Sequence, residues 1–378
     1  MPSLNRRFPR ASAAAVALAA CTAFTTPEPA VAVRSAPLAP GLYQSAYSER
    51  NDTLWATSSV GQPPAPVTDS RLLRLDPGTL EVEASHPAVV GADGGGVESV
   101  YGIDVDDERD TVWVTNTRDD SIAVYSQRTG RHLATVPGVA HAREIVVDEK
   151  RDTVWATAFG SGSVVAFDTR TYKEIRRVTV EGAGPTGLAV HERSGAVYAT
   201  DFTHDRVIAI APGAAEPRLL PAGDGPLSIA LSPNGRTAYT ADQGSGGVSV
   251  VDLRKGAVVR STATGAGAKS LAAVGRSGRV LVANRLDGTV SLVDTRTGTV
   301  EEAIDTNALP NHVHMSDANT AYVLDKSAAG PEGQDHVTRI DVGPLTRRGA
   351  RSSCQRPPAS MRSTASLASF RPAPVASR

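Results

Sequence analysis

Short runs in which apolar and polar residues alternate fill the chain from residue 43 to residue 341, and turns rich in Gly, Asp and Asn separate them. Alternation with period two predicts strands with one face buried. One run recurs seven times: "NDTLWATS" at 51–58, "RDTVWVTN" at 109–116, "RDTVWATA" at 151–158, "SGAVYATD" at 194–201, "GRTAYTAD" at 235–242, "SGRVLVAN" at 277–284 and "ANTAYVLD" at 318–325. Its aligned column reads Trp55, Trp113, Trp155, Tyr198, Tyr239, Leu281 and Tyr322, and contains all three tryptophans of the chain. After a first step of 58 residues the spacings are 42, 43, 41, 42 and 41. A fixed period of this length, built from strands, predicts a solenoid, a propeller or an array.

Each repeat holds three more strands. An apolar run such as "EIVVD" at 144–148 comes first, an alternating run such as "SVVAFD" follows the Trp strand, and a more polar run such as "TVEEAI" ends the unit. Four strands joined by tight turns make an antiparallel meander, and seven of them in a ring make an all-β, seven-bladed β-propeller. The aromatic column is then the side chain that packs one blade on the next. The seventh repeat lacks a good fourth strand after "HVTRID" at 336–341, so residues from 33 onward are expected to supply the outer strand of blade seven. Pro37 and Pro40 suit an edge strand, which has one unpaired side.

The ends differ from the body. Arg6, Arg7 and Arg10 precede an apolar run from Ala11 to Ala20, and Ala30-Val31-Ala32 forms an A-x-A site, so residues 1–32 are expected to be an export signal. Leu18-Ala19-Ala20-Cys21 also resembles a lipobox, which would make Cys21 a lipidation site and its lipid the only link to a membrane. Both readings place the protein outside the cytoplasm. Residues 344–378 are rich in Arg, Ser, Pro and Ala without periodicity, and are expected to be a disordered basic tail. The propeller is assigned to 33–343. Its cysteines, Cys21 and Cys354, fall outside that body, which excludes a disulfide framework, a thiolate nucleophile and a Cys-bound metal within it. The chain has 39 basic and 40 acidic residues; with three Arg and one Glu in 1–32 and seven Arg after 341, the body carries 29 basic against 39 acidic. That balance argues against a broad nucleic-acid footprint.

Val112-Trp113-Val114-Thr115-Asn116, Leu281-Val282-Ala283-Asn284, "SPNGRTAY" at 232–239 and "VSLVDTRTGTV" resemble the YVTN-repeat β-propellers, a family of YncE-like exported proteins and surface-layer proteins. The resemblance covers 43–341 and implies the fold, export and a binding or scaffold role. Single-stranded DNA binding, known among the YncE-like proteins, is implied as an alternative. Fold alone does not assign function.

Loops entering the first strands and leaving the second strands share one face of a propeller. The residue before each first strand reads Gln44, Tyr101, Arg143, Thr186, Leu227, Lys269 and Asn311, an irregular column with Glu144 and His312 beside it. Tyr101, Arg143, Lys269, Asn311 and His312 are the ligand-binding candidates, with Arg143 and Lys269 expected to face each other across the axis and hold an anionic group. The second-strand ends, among them Asn116, Asp201, Asp242, Asn284 and Asp325, are expected to cap turns through backbone amides. His312 and His314 are expected on opposite faces of their strand, which would prevent joint chelation. Longer loops at 58–70, 85–100 and 326–335 would raise a lip on one sector of the same face. The reading is an exported, monomeric, non-enzymatic binding protein, its ligand macromolecular or small, with no cofactor and no catalytic or metal residue. A lactonase-like hydrolase with an axial metal is the enzyme rival.

Overall fold

The computed structural model describes residues 31–61, 65–91, 96–306, 308–327 and 333–343. The expected export signal up to Ala30, Cys21 and the tail at 344–378 lie outside them. Seven four-stranded antiparallel sheets make the propeller. Their inner strands are Leu42–Ser48, Val100–Asp106, Ala142–Asp148, Pro185–His191, Pro226–Leu231, Ala268–Val274 and Leu309–Met315. Each neighbours the inner strand of the next blade, and the last meets the first to close the ring.

The aromatic column lies between blades. Trp55 is fully buried against Ile103, Val112 and Val114 of blade two, and Trp113 against Ile145 and Val154 of blade three. Trp155 packs on Leu188 and Val197 of blade four. Tyr322 of blade seven packs on Leu54 and Leu73 of blade one, so the same contact closes the ring.

Val31–Pro37 pairs antiparallel with His336–Val342 and is the outer strand of blade seven. It starts two residues inside the segment read as signal, and Val31 is buried in the core with Ile340 and Val342. Cleavage after Ala32 would therefore remove a core side chain from this strand. Asp335 fastens the closure: its carboxylate accepts from Leu42 N at 2.9 Å and Ser327 N at 2.7 Å, and its carbonyl from Leu38 N at 2.7 Å.

Every inner strand enters through a bulge. In blades one to four two residues drop out of the pairing: Tyr43 and Gln44, Tyr101 and Gly102, Arg143 and Glu144, Thr186 and Gly187. In blades five to seven one residue does: Leu227, Lys269 and Asn311. A bulge leaves backbone groups without ladder partners, and buried groups of that kind must bond elsewhere. In the first four blades Thr57, Thr115, Thr157 and Thr200, all buried, accept the freed N–H of Gln44, Gly102, Glu144 and Gly187 at 2.7–3.1 Å. Three of these hydroxyls then donate into the next blade: Thr57 to Tyr101 O, Thr115 to Arg143 O and Thr157 to Thr186 O. At Gly102 a Cβ would meet Arg143 O at 2.4 Å, so this crossing needs glycine. The later blades lack that Thr and fasten from the inner strand instead. Ser228 Oγ accepts from Leu271 N, Ser270 Oγ from Val313 N and His312 Nδ1 from Ser45 N.

Two expectations are corrected. Of the second-strand ends, Asp201 accepts backbone N–H groups, from Gly184 and Thr203. Asp242, Asn284 and Asp325 bond mainly side-chain hydroxyls and Asn116 bonds the Glu98 carboxylate and the Ser121 hydroxyl, because they are buried between strands rather than placed in turns. His312 and His314 lie on the same face, their rings 6.4 Å apart and 21° from parallel. Residues two apart repeat the pleat, so they point together.

Thr157→Val should lower stability by roughly 1–3 kcal/mol, the cost of stranding buried polar groups, since Glu144 N–H and Thr186 C=O both lose their partner. Trp155→Ala should cost roughly 3–5 kcal/mol as a buried aromatic is truncated. Chemical denaturation measures both. Unchanged midpoints would show that neither contact holds the blades together.

Candidate functional site

The bulges aim their residues at the axis. Gln44, Tyr101, Arg143, Glu144, Lys269, Asn311 and His312 line one cavity of about 30 Å³ at the mouth, so the structure brings all five binding candidates together. That volume holds a water molecule or a single small group.

Cations dominate this mouth. The Arg143 guanidinium stands 5.0 Å from the centre of the Tyr101 ring, and the Tyr43 ring lies 4.8 Å from it, tilted by 43°. Lys326 Nζ caps Tyr43 at 4.0 Å. Asn311, buried, accepts from Arg285 Nη1 at 2.7 Å and donates to Tyr43 O at 2.9 Å, so both ends of its amide hold neighbours in place. Among the described residues Arg143, Lys269 and Arg285 make no ion pair within 4.0 Å. Glu144 does not neutralise them by contact; its Oε2 accepts from Gln44 Nε2 at 3.0 Å.

The titrations follow from this crowding. Burial pushes Glu144 up to about 7, with Gln44 opposing it and Asp104 adding to it. Burial alone would raise Tyr101, but Lys269, Arg143 and Arg285 outweigh it and bring the phenol below its usual range. A Tyr101 phenolate would keep the proton on Lys269; burial and the two guanidiniums prevail and lower the ammonium. Burial likewise brings Lys326 down to about 8, against the pull of Asp335. His312 falls to about 3 and His314 to about 4, chiefly through burial. Both rings are neutral, because His312 Nδ1 and His314 Nε2 accept the N–H groups of Ser45 and Tyr47. His312 thus lines the cavity while its accepting nitrogen fastens blade seven to blade one.

Parts of the loops expected to form a lip are tied to their neighbours. Thr53–Val60 extends through the start of the 58–70 segment, and Arg118 donates to Gly61 O and Ala65 O. Val90 bridges to Val97 within 85–100. The tips at 62–64, 92–95 and 328–332 lie outside the described residues.

Sequence columns missed Tyr43, Arg285, Lys326 and Phe159. The last three occupy one repeat position, directly after the second-strand end, together with Phe202. Extending the column by one residue would have found them, with aromatics in blades three and four and cations in blades six and seven.

A metal-ligand group of three or more His, Cys, Asp or Glu side chains is absent among the described residues. No helix of the described residues is long and apolar enough to cross a membrane.

Virginiamycin B lyase from Staphylococcus aureus has the same fold, with a TM-score of 0.67 over 82% of this chain and 99% of that one, at 12% sequence identity. Identity this low carries the fold and not the chemistry. No curated protein matches the chain in sequence. The model of the YncE-like β-propellers matches residues 96–330, more than half of the chain. With seven blades closed by the N-terminal strand, and the Thr of the repeat signature bonding blade to blade, the chain belongs to the YncE-like β-propeller family.

Proposed function

We propose that this protein is an exported, non-enzymatic binding protein of the cell envelope whose axial mouth holds an anionic group of its ligand. One observation carries the reading: Arg143, Lys269 and Arg285 converge on Tyr101 without an ion-pair partner among the described residues. All three are half-buried, so they are partly out of water and gain from an anion that joins them. The 30 Å³ cavity beneath admits only a small head group, so the rest of the ligand lies above the mouth, against Tyr43 and Phe159.

A second reading has one observation in its favour. Tyr43, Tyr101 and Phe159 beside cations form the combination that single-stranded nucleic acid uses, stacking and phosphate contact.

Arg143→Ala with Lys269→Ala should weaken binding of small carboxylates and phosphate monoesters at least tenfold, since a charge-assisted contact contributes roughly 1.5–3 kcal/mol. Calorimetric titration measures it, with shortened 58–70 and 326–335 loops as the comparison. Full affinity in the double variant would remove the mouth and leave the lip. A short oligothymidylate titrated across salt concentrations tests the nucleic-acid reading, which requires affinity that falls steeply with salt.

The pH dependence has a defined sign. Glu144 is neutral below about 7, Lys326 is charged below about 8, and Tyr101 is neutral at low pH, so each group makes the mouth more positive as pH falls. Anion affinity should therefore rise between pH 8 and pH 6, and Glu144→Gln should flatten the lower part of that rise. Affinity that increases with pH would contradict the assignment.

A further inference from the structure

The junction of blades one and two, on the face opposite the mouth, holds a cavity of about 610 Å³ lined by Arg50, Arg74, Arg128, Trp55 and Asp110 among others. Small-molecule sites usually fall between roughly 300 and 1,000 Å³. The repeats supply an internal comparison, because the junction of blades two and three is built from the same positions with different side chains.

There, Tyr172 packs edge-on against Trp113 at 5.4 Å, and the Trp113 indole N–H donates to Thr111 Oγ1 at 3.1 Å. Asp152 takes ion pairs from both Arg109 and Arg170. The aromatic pair fills the apolar surface, and the carboxylate is ion-paired.

At the first junction each of these features is replaced. Gly130 stands where Tyr172 would be, in the same turn and with the same left-handed backbone, φ 64° against 60°, and the ring of His86 lies over it instead, 5.9 Å from the Trp55 ring. Thr53, the counterpart of Thr111, donates to Asn51 O, and the buried Trp55 indole N–H has no partner. Asp110, the counterpart of Asp152, makes no ion pair among the described residues, and neither do Arg50 and Arg128. Arg50 Nη1 is turned onto Asp107 O instead.

The fourth change is Arg74. It lies across the strand pair from Trp55, where blades two to six place Val124, Ala166, Ala209, Val250 and Leu292. Blade seven has Arg339 there, paired with Asp341. Arg74 Nε lies 3.2 Å from Glu83 Oε2, at an angle that makes no hydrogen bond. Glu83 is its ion-pair partner, and the other two guanidinium nitrogens make no hydrogen bond among the described residues. The lining carries three guanidiniums and the Asp110 carboxylate, with Glu83 and Asp107 beside it, and guanidinium forks match oxyanions in bidentate geometry.

We infer that this junction is a second binding site, for a small organic oxyanion such as a carboxylate or phosphate, held by Arg50, Arg74 and Arg128. It is independent of the mouth and of the function proposed for it.

The chain has three tryptophans, so its indole N–H groups give three resonances in a ¹H–¹⁵N spectrum, and Trp55→Phe identifies the first. Inorganic phosphate and citrate are titrated separately. The Trp55 signal is expected to move saturably with at least one of them, while those of Trp113 and Trp155 stay. Arg74→Val, which installs the residue of blade two, should weaken that response about tenfold or more, as loss of a charge-assisted contact does. Arg128→Ala, on an exposed turn, should weaken it without touching the core, and Arg143→Ala with Lys269→Ala should leave it unchanged. A static Trp55 signal with both anions would overturn the site, and so would an equal response in the Arg74 and Arg128 variants.

Discussion

The bulge at the entry of each inner strand is the constraint on which the rest of the molecule depends. Withdrawing Arg143 and Glu144, or Lys269, from the ladder turns these side chains toward the axis, and it also strands backbone groups inside the protein. The hydroxyls of Thr57, Thr115 and Thr157 resolve the second problem and, by donating onward, bond each blade to the next. One geometric feature thus shapes the mouth and joins the ring. Ser228, Ser270 and His312 do the same work in blades whose bulge is one residue shorter.

The architecture was legible because it is written in side chains that repeat. A Trp or Tyr at a fixed period has one explanation, burial against an identical neighbour, and the missing fourth strand of blade seven pointed to the N-terminal strand that fills it. The site was less legible because it rests on departures from the repeat. Arg143 and Lys269 stood out as charges in an irregular column, whereas Arg285 and Lys326 sit one residue beyond the column that was read. Burial in three dimensions, not sequence, decides that Asn311 holds Arg285 and that His312 is neutral and committed to Ser45. The face of His314 relative to His312 was misjudged from the pleat itself. Asn116, Asp242, Asn284 and Asp325 look like turn caps in sequence because nothing local to them marks their burial between strands.

The same logic separates the two cationic regions of an otherwise acidic body. At the mouth Arg143 and Lys269 converge from the bulges of blades three and six, with Arg285 and Lys326 beside them, and at the opposite face three arginines meet where one junction lacks the Tyr and the Asp ion pairs of its neighbour. Neither is a diffuse patch. Each places positive charge beside an aromatic ring and partly out of water, where an anion gains most from it.

The central claim is that the mouth holds an anion, and anomalous diffraction from crystals soaked in bromide tests it most directly. The account predicts a bromide peak between Arg143 and Lys269, beside the Tyr101 ring. Peaks confined to exposed surface arginines, with none in the mouth, would contradict it.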